Sequence, residues 1–114
     1  LLVKVLVVED TFELAALVAL SLEHAGWQVD LAEDGATALA LADPSHGVAL
    51  VDLGLPDMTG PQLVQQLRER SELQHLPVIW FTAHHQVEPD GGIGVITKPF
   101  DPATLPGAIA ALLA

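Results

Sequence analysis

Residues 3–8 read Val-Lys-Val-Leu-Val-Val, and the pattern they begin constrains the fold more than any other feature of the chain. A short run of β-branched residues and leucine with so little polar alternation is what a strand buried on both faces requires. The period then changes. From Phe12 the apolar positions Leu14, Leu17, Val18, Ser21 and Leu22 follow helical spacing, with Asp10 or Thr11 as N-cap and Gly26 as the stop. Gln28–Ala32 predicts a second strand, and Asp34 caps a second helix that runs to about Ala42 before Asp43-Pro44 ends it. Val48–Val51 predicts a third buried strand. After the turn at residues 53–60, Pro61 opens a helix with Leu63, Val64 and Leu67 inward and Arg68, Glu69 and Arg70 toward water. Pro77–Phe81 predicts the fourth strand and the run before Lys98 the fifth.

Strands alternating with helices mean right-handed βαβ crossovers, a parallel sheet and helices on both faces. The predicted fold class is α/β, doubly wound. One crossover departs from the rest. Ala83–Ile93 has only eleven residues, with Pro89 and Gly91-Gly92 among them, whereas a parallel crossover needs about a dozen including its helix. This predicts a loop with at most one helical turn, so the fourth helix is shortened or absent. In the final segment, Pro106-Gly107 disturbs the first turn and predicts regular helix mainly from Pro106 onward.

At 114 residues the chain is expected to be one domain, residues 1–114, with room for a single sizeable core. Its start at Leu1 and its stop within an apolar run are what a piece trimmed from something longer would show. There is no cysteine, which excludes disulfides and thiolate zinc sites and fits a reducing compartment; cytoplasm is the expected location. No apolar run approaches the ~18 residues of a membrane span. Fifteen acidic residues face four basic ones, Lys4, Arg68, Arg70 and Lys98, a balance that repels phosphate backbones and argues against nucleic-acid binding by this domain. An acidic surface with an apolar last helix permits a homodimer without requiring one.

Ligand sites of open parallel sheets lie beyond the carboxyl ends of the strands. The residues there are Glu9 and Asp10, Asp52, Thr82 and Lys98. Taken singly they have ordinary explanations: helix N-terminal charges, a turn cap, a strand-end threonine, a solvated lysine. Together they do not. Clustered carboxylates repel one another unless a cation lies among them, so Lys98, a divalent metal or both are expected, and all-oxygen ligation favours Mg²⁺.

The pieces "VLVVED", "ALVDLGLPDMTG", "PVIWFTA" and "ITKPF", in this order and spread over nearly the whole chain, resemble the receiver domain of two-component response regulators. The resemblance implies a flavodoxin-like, five-stranded sheet of order 2-1-3-4-5. It implies that Asp52 accepts a phosphoryl group from the histidine of a sensor kinase or a phosphotransfer protein, and that the domain is an acceptor rather than an enzyme. Asp10, Asp52 and the backbone carbonyl of Gly54 would hold Mg²⁺, with Glu9 acting through a metal-bound water. Thr82 and Lys98 would each hold a phosphoryl oxygen, and the Lys98–Pro99 bond resembles the family's cis peptide. Asp57 reads as turn chemistry rather than a ligand.

Two departures from that family fall between Thr82 and Lys98. The short crossover is one. The other is Val95, three residues before the lysine, where family members usually carry an aromatic ring that swings inward on activation; valine has one stiff χ1 and no ring. A phosphorylatable site with weakened or rerouted output is therefore expected. A receiver that serves as a phosphorylation-independent interaction module is the alternative. An aspartyl-phosphate phosphatase fits poorly, because Gly54 stands where it would need a second aspartate. His84 and His85 are adjacent and read as solvated rather than as zinc ligands; by the resemblance, His84 occupies a position that influences phosphoryl lifetime. The stretch "GGIG" precedes a strand instead of opening a helix, and so fails as a phosphate loop. Trp27 is expected to pack after the helix stop, and Trp80 to belong to the core while covering sheet that a missing helix would leave bare.

Overall fold

A computed structural model of the chain describes residues 3–83 and 90–114. Five parallel strands, β1 (Lys4–Val8), β2 (Gln28–Ala32), β3 (Val48–Asp52), β4 (Val78–Thr82) and β5 (Gly94–Thr97), lie in the order β2-β1-β3-β4-β5. This is the doubly wound, flavodoxin-like sheet that the sequence predicts. The order reverses at β1, so β1 and β3 flank the switch point and end side by side at Val8 and Val51.

Among the described residues four helices accompany the sheet: α1 (Phe12–His24), α2 (Gly35–Leu41), α3 (Gly60–Arg68) and α4 (Leu105–Leu113). A 3-10 turn at Ser71–Leu73 follows α3. Among the described residues no helix lies between β4 and β5, as the eleven-residue crossover predicts. Residues 84–89, and with them His84 and His85, lie outside the described residues. No helix among the described residues is long and apolar enough to cross a membrane.

Alternation along the strands divides the core in two. Leu6, Val8, Val51 and Trp80 pack with α2 and α3 on one face, where Val95 joins them partly buried. Val5, Val7, Leu50 and Phe81 pack with α1 and α4 on the other. Trp80 and Phe81 are both fully buried, back to back through β4. Gly92 lies over Trp80 so closely that a Cβ there would stand 2.4 Å from the indole Nε1. Backbone thus covers the ring where a longer crossover would place a helix. Trp27 packs into the α1/α4 face after the helix stop, as expected.

Several expectations need correction. Leu17 does not face inward: α1 buries Ala15, Val18, Ala19 and Leu22, and Leu17 is 40 % exposed. The helix is apolar on nearly every side, so its pattern does not specify its rotation, and the small side chains of Ala15 and Ala19 allow the close approach to the sheet. Ser21 fits the buried row because its hydroxyl donates to Pro102 O at 2.6 Å.

Arg68 and Arg70 do not simply face water. Arg68 donates through Nη1 to Leu76 O at 2.6 Å and Leu73 O at 3.2 Å, and through Nη2 to Gly91 O at 3.3 Å. Arg70 donates to Leu39 O at 2.9 Å and Ala42 O at 3.1 Å, two carbonyls at the end of α2. A planar fork of five donors suits such orphan carbonyls better than a lysine would.

Asp57 is more than a turn residue. Its Oδ1 accepts from Gly35 N at 2.8 Å and its Oδ2 from Ala36 N at 3.0 Å, so the β3–α3 loop caps α2 beside the local cap, where Asp34 accepts from Thr37 N at 2.7 Å. α3 starts one residue before Pro61, with a capping box between Thr59 and Gln62. α4 begins at Leu105, one residue earlier than expected; its Leu105 and Ile109 are buried in the core.

Candidate functional site

The carboxyl ends of β1, β3, β4 and β5 deliver Glu9, Asp52, Thr82 and Lys98 to one place, with Asp10 at its rim. A parallel sheet aligns these positions because each strand ends at a similar height: Asp52 stands opposite Phe81 and Thr82 opposite Thr97 in the register. Gly60 lets the loop after β3 fold back closely, since a Cβ there would lie 2.4 Å from Asp52 O. Gly60 N donates to Leu53 O at 2.8 Å and closes that loop.

Carboxylate oxygens of Glu9, Asp10 and Asp52 lie within 4.8 Å of one another. Like charges at such a separation repel by a few kcal/mol at an effective dielectric near ~20. Part of that is offset by Lys98, whose Nζ donates to Asp52 Oδ2 at 2.8 Å and to Glu9 Oε1 at short range. The Nζ also stands 4.8 Å from the centroid of the Phe81 ring. Glu9 Oε2 accepts from Thr11 N at 3.0 Å, so both Glu9 oxygens are engaged within the protein. Asp52 Oδ1 accepts from Gly54 N at 3.2 Å. Thr82 is buried, and its carbonyl accepts from Lys98 N at 2.8 Å. The Lys98–Pro99 peptide is cis, as the resemblance to receiver domains implies.

Burial pushes the Glu9 carboxyl above its ordinary range, against the hydrogen bonds from Lys98 and Thr11, and the charge of Asp52 pushes it further. Burial alone would lower the Lys98 ammonium, but its hydrogen bonds to Asp52 and Glu9 outweigh that and hold it above the usual lysine value. The two partners move the same way for different reasons. Glu9 is the more deeply buried and shares its cation, whereas Lys98 has two anions to itself. The ammonium therefore stays charged at neutral pH, and one cation still faces three carboxylates.

The sequence reading brought Glu9, Asp10, Asp52, Thr82 and Lys98 to one end of the sheet, and the structure brings them together there. It missed the Phe81 ring beside the ammonium. The clue was available: Phe81 directly precedes Thr82, and strand alternation points it away from Trp80 toward the α1/α4 face.

The comparisons with known proteins agree with this geometry. Residues 5–110 match the family described as the response regulator receiver domain. The chain is 40 % identical to the probable transcriptional regulatory protein TcrX of Mycobacterium tuberculosis, over 86 % of this chain and 44 % of that protein. It is 33 % identical to the phosphate regulon transcriptional regulatory protein PhoB of Escherichia coli, over 96 % and 51 %. Among solved structures, the chemotaxis response regulator CheY4 of Vibrio cholerae superposes with a TM-score of 0.88 at 30 % identity, covering 98 % of this chain and 99 % of that one. The receiver domain of the hybrid histidine kinase CckA gives 0.83 at 26 %, covering 97 % and 99 %.

The chain belongs to the response regulator receiver domain family, the signal-receiving modules of two-component systems. It spans about half the length of the curated relatives it matches. Receiver domains act as phosphoacceptors and signal transducers, are phosphorylated by histidine kinases or phosphotransfer proteins, and typically bind Mg²⁺ at an acidic pocket; this chain has the acidic cluster for one.

Proposed function

We propose that residues 1–114 form a receiver domain that takes a phosphoryl group onto Asp52 from the phosphohistidine of a sensor kinase or a histidine phosphotransfer protein. The observation that carries this reading is the convergence of three carboxylates, within 4.8 Å of one another, on a single ammonium. Such a site has a carboxylate as nucleophile, an excess of acidic groups suited to a hard divalent cation, and a cation for the incoming phosphoryl oxygens.

Asp10, Asp52 and the carbonyl of Gly54 would hold Mg²⁺, and Glu9 would reach it through water, since both Glu9 oxygens already accept hydrogen bonds. The bound ion supplies neutralisation of charge on the phosphoryl oxygens. The chain's own residues do the rest. Asp52 is the nucleophile, and a carboxylate so placed needs only to be deprotonated and in line. Lys98, charged at neutral pH, pairs with one phosphoryl oxygen, and the hydroxyl of Thr82 donates to another. The phosphorus–nitrogen bond of the donor breaks as the bond to the Asp52 carboxylate oxygen forms, and the donor imidazole leaves with the electron pair. Gly54 offers no side chain to deliver water or a proton afterwards, which favours an acceptor over a phosphatase. The complete set of acids, threonine and lysine likewise favours phosphorylation over a phosphorylation-independent module.

Trp80 supplies the test, because it is fully buried two residues before Thr82. Its fluorescence should respond to Mg²⁺ and then to beryllofluoride in the presence of Mg²⁺. A folded protein that responds to neither would overturn the reading.

A further inference from the structure

Val95 lacks a ring, and it packs on the α2/α3 face of the sheet beside Trp80. On the opposite face an aromatic pair reaches directly from the site. Lys98 has three N–H donors; two go to Glu9 and Asp52, and the Phe81 ring lies 4.8 Å from the nitrogen. The negative face of an aromatic ring attracts an ammonium at this distance, and more so where water is excluded, as it is around fully buried Phe81. Phe81 in turn meets the Phe100 ring at 5.5 Å between centroids and 63° between planes, an edge-on contact.

Phe100 stands where the chain turns from the site into α4. It lines an open groove with Thr97, Asp101 and Thr104 beside edge strand β5. Asp101 O accepts from Thr104 N and Leu105 N, both at 3.1 Å, and so starts the helix. Leu105 and Ile109 share the core cluster of Phe81.

We propose that Phe81 is a positioning residue for Lys98, and that the Phe81–Phe100 pair carries a change at Lys98 to the start of α4, on the face of the sheet opposite Val95. This rests on reading Asp52 as the phosphoacceptor. A phosphoryl group on Asp52 gives the ammonium a new oxygen to bind. Any displacement of Nζ toward that oxygen alters its contact with the ring, and Phe100 is the next group to respond. Leucine at position 81 would fill similar space but offer the ammonium no π face.

NMR of the free protein tests the first half without any phosphoryl analogue. The Lys98 Cε protons should be shifted upfield by the ring, and the shift should vanish in Phe81→Leu and persist in Phe81→Tyr. Beryllofluoride binding with Mg²⁺ should weaken roughly two- to fivefold in Phe81→Leu, the scale of a cation–π contact, and recover in Phe81→Tyr. In a Lys98→Met background, Phe81→Leu should have no further effect. Phe100→Leu should keep the Lys98 shift but remove the response of the Leu105 and Ile109 methyl groups to beryllofluoride.

An unshifted Lys98 in the wild type, or equal losses in the Leu and Tyr variants, overturns the positioning role. Methyl responses that survive in Phe100→Leu overturn the route. If the wild type ignores beryllofluoride while its Lys98 resonances are shifted, the phosphoacceptor reading and the route fall, and the placement of the lysine stands.

Discussion

The two ends of the sheet each carry a lysine among carboxylates, and the difference between them separates scaffold from site. At the amino end, Lys4 Nζ lies 3.6 Å from Asp30 Oδ2 and donates to Ser45 Oγ at 2.9 Å. His46 is buried beside them. Its Nδ1 accepts from Asp43 N at 3.2 Å, which places the proton on Nε2, and that nitrogen donates to Asp30 Oδ2 at 2.8 Å. The second carboxylate there, Asp43, accepts from Ser45 N at 2.8 Å and from Ser45 Oγ, so the polar groups of this end are taken up by partners within the protein. At the carboxyl end one ammonium serves Glu9 and Asp52 while Asp10 adds a third negative charge at the rim. A matched network consumes its own chemistry, whereas an unmatched one retains affinity for a cation and for whatever that cation can hold.

Breaking each end separately should show this. The largest effect is expected from Asp52→Asn, which removes the nucleophile. Labelling by a small-molecule phosphodonor such as acetyl phosphate, followed by intact-mass measurement, should fall from detectable to none. The fold should be at least as stable in urea, because one of three repelling carboxylates has gone. Unchanged labelling would mean that the acceptor lies elsewhere.

Lys98→Met comes next. It leaves Glu9 buried with no ammonium, and losing one partner of such a pair costs about 2–3 kcal/mol, below the full cost in a dry interior because Lys98 keeps 17 % of its side chain exposed. Millimolar Mg²⁺ should return part of this in urea unfolding, since a second cation can take over some of the neutralisation. A variant that is equally stable with and without Mg²⁺ would contradict the excess of negative charge on which the site reading depends.

His46→Ala is the counterpart at the amino end. It removes a buried imidazole with two hydrogen bonds and should cost about 1–2 kcal/mol. Phosphodonor labelling and the Mg²⁺ dependence of stability should match the wild type. Impaired labelling would show that the two ends are coupled rather than independent.

The contrast also marks what could be read from the sequence. Strand runs and crossover lengths are local properties, so the sheet, the lack of a helix among the described residues between β4 and β5, and the five residues at the strand ends were all legible. Helix rotation was not, because α1 is apolar on most sides and only packing decides that Ala15 and Ala19 go inward while Leu17 does not. Long polar side chains were also misread. In the sequence Arg68 and Arg70 look like surface charge and Asp57 like turn chemistry, yet each finds backbone groups more than one element away or across a loop. Hydropathy carries no information about such partners, because they depend on which loop ends the fold brings within reach. The contact of Phe81 with Lys98 is intermediate. Strand alternation predicts the face, but only the structure supplies the distance.

Asp57 tests whether position or wiring decides a carboxylate's role. It sits at the carboxyl end, five residues past Asp52, yet its two oxygens accept backbone N–H groups of Gly35 and Ala36 in the manner of the matched network. The hydrogen bond from Gly35, with help from Ala36 and against a smaller effect of desolvation, holds its pKa below the ordinary aspartate value. A group depressed in this way stabilises the fold above its unfolded pKa of about 3.9 and loses that contribution as pH falls through the lower folded value. Asp57→Asn cannot titrate. Its unfolding free energy should therefore fall less steeply than the wild type's below pH ~4, with only a small difference at neutral pH, because the group is exposed. Phosphodonor labelling should be retained. A variant with the wild-type acid slope would remove Asp57 from the capping of α2, whereas a variant that no longer takes up phosphoryl groups would move it from the scaffold to the site.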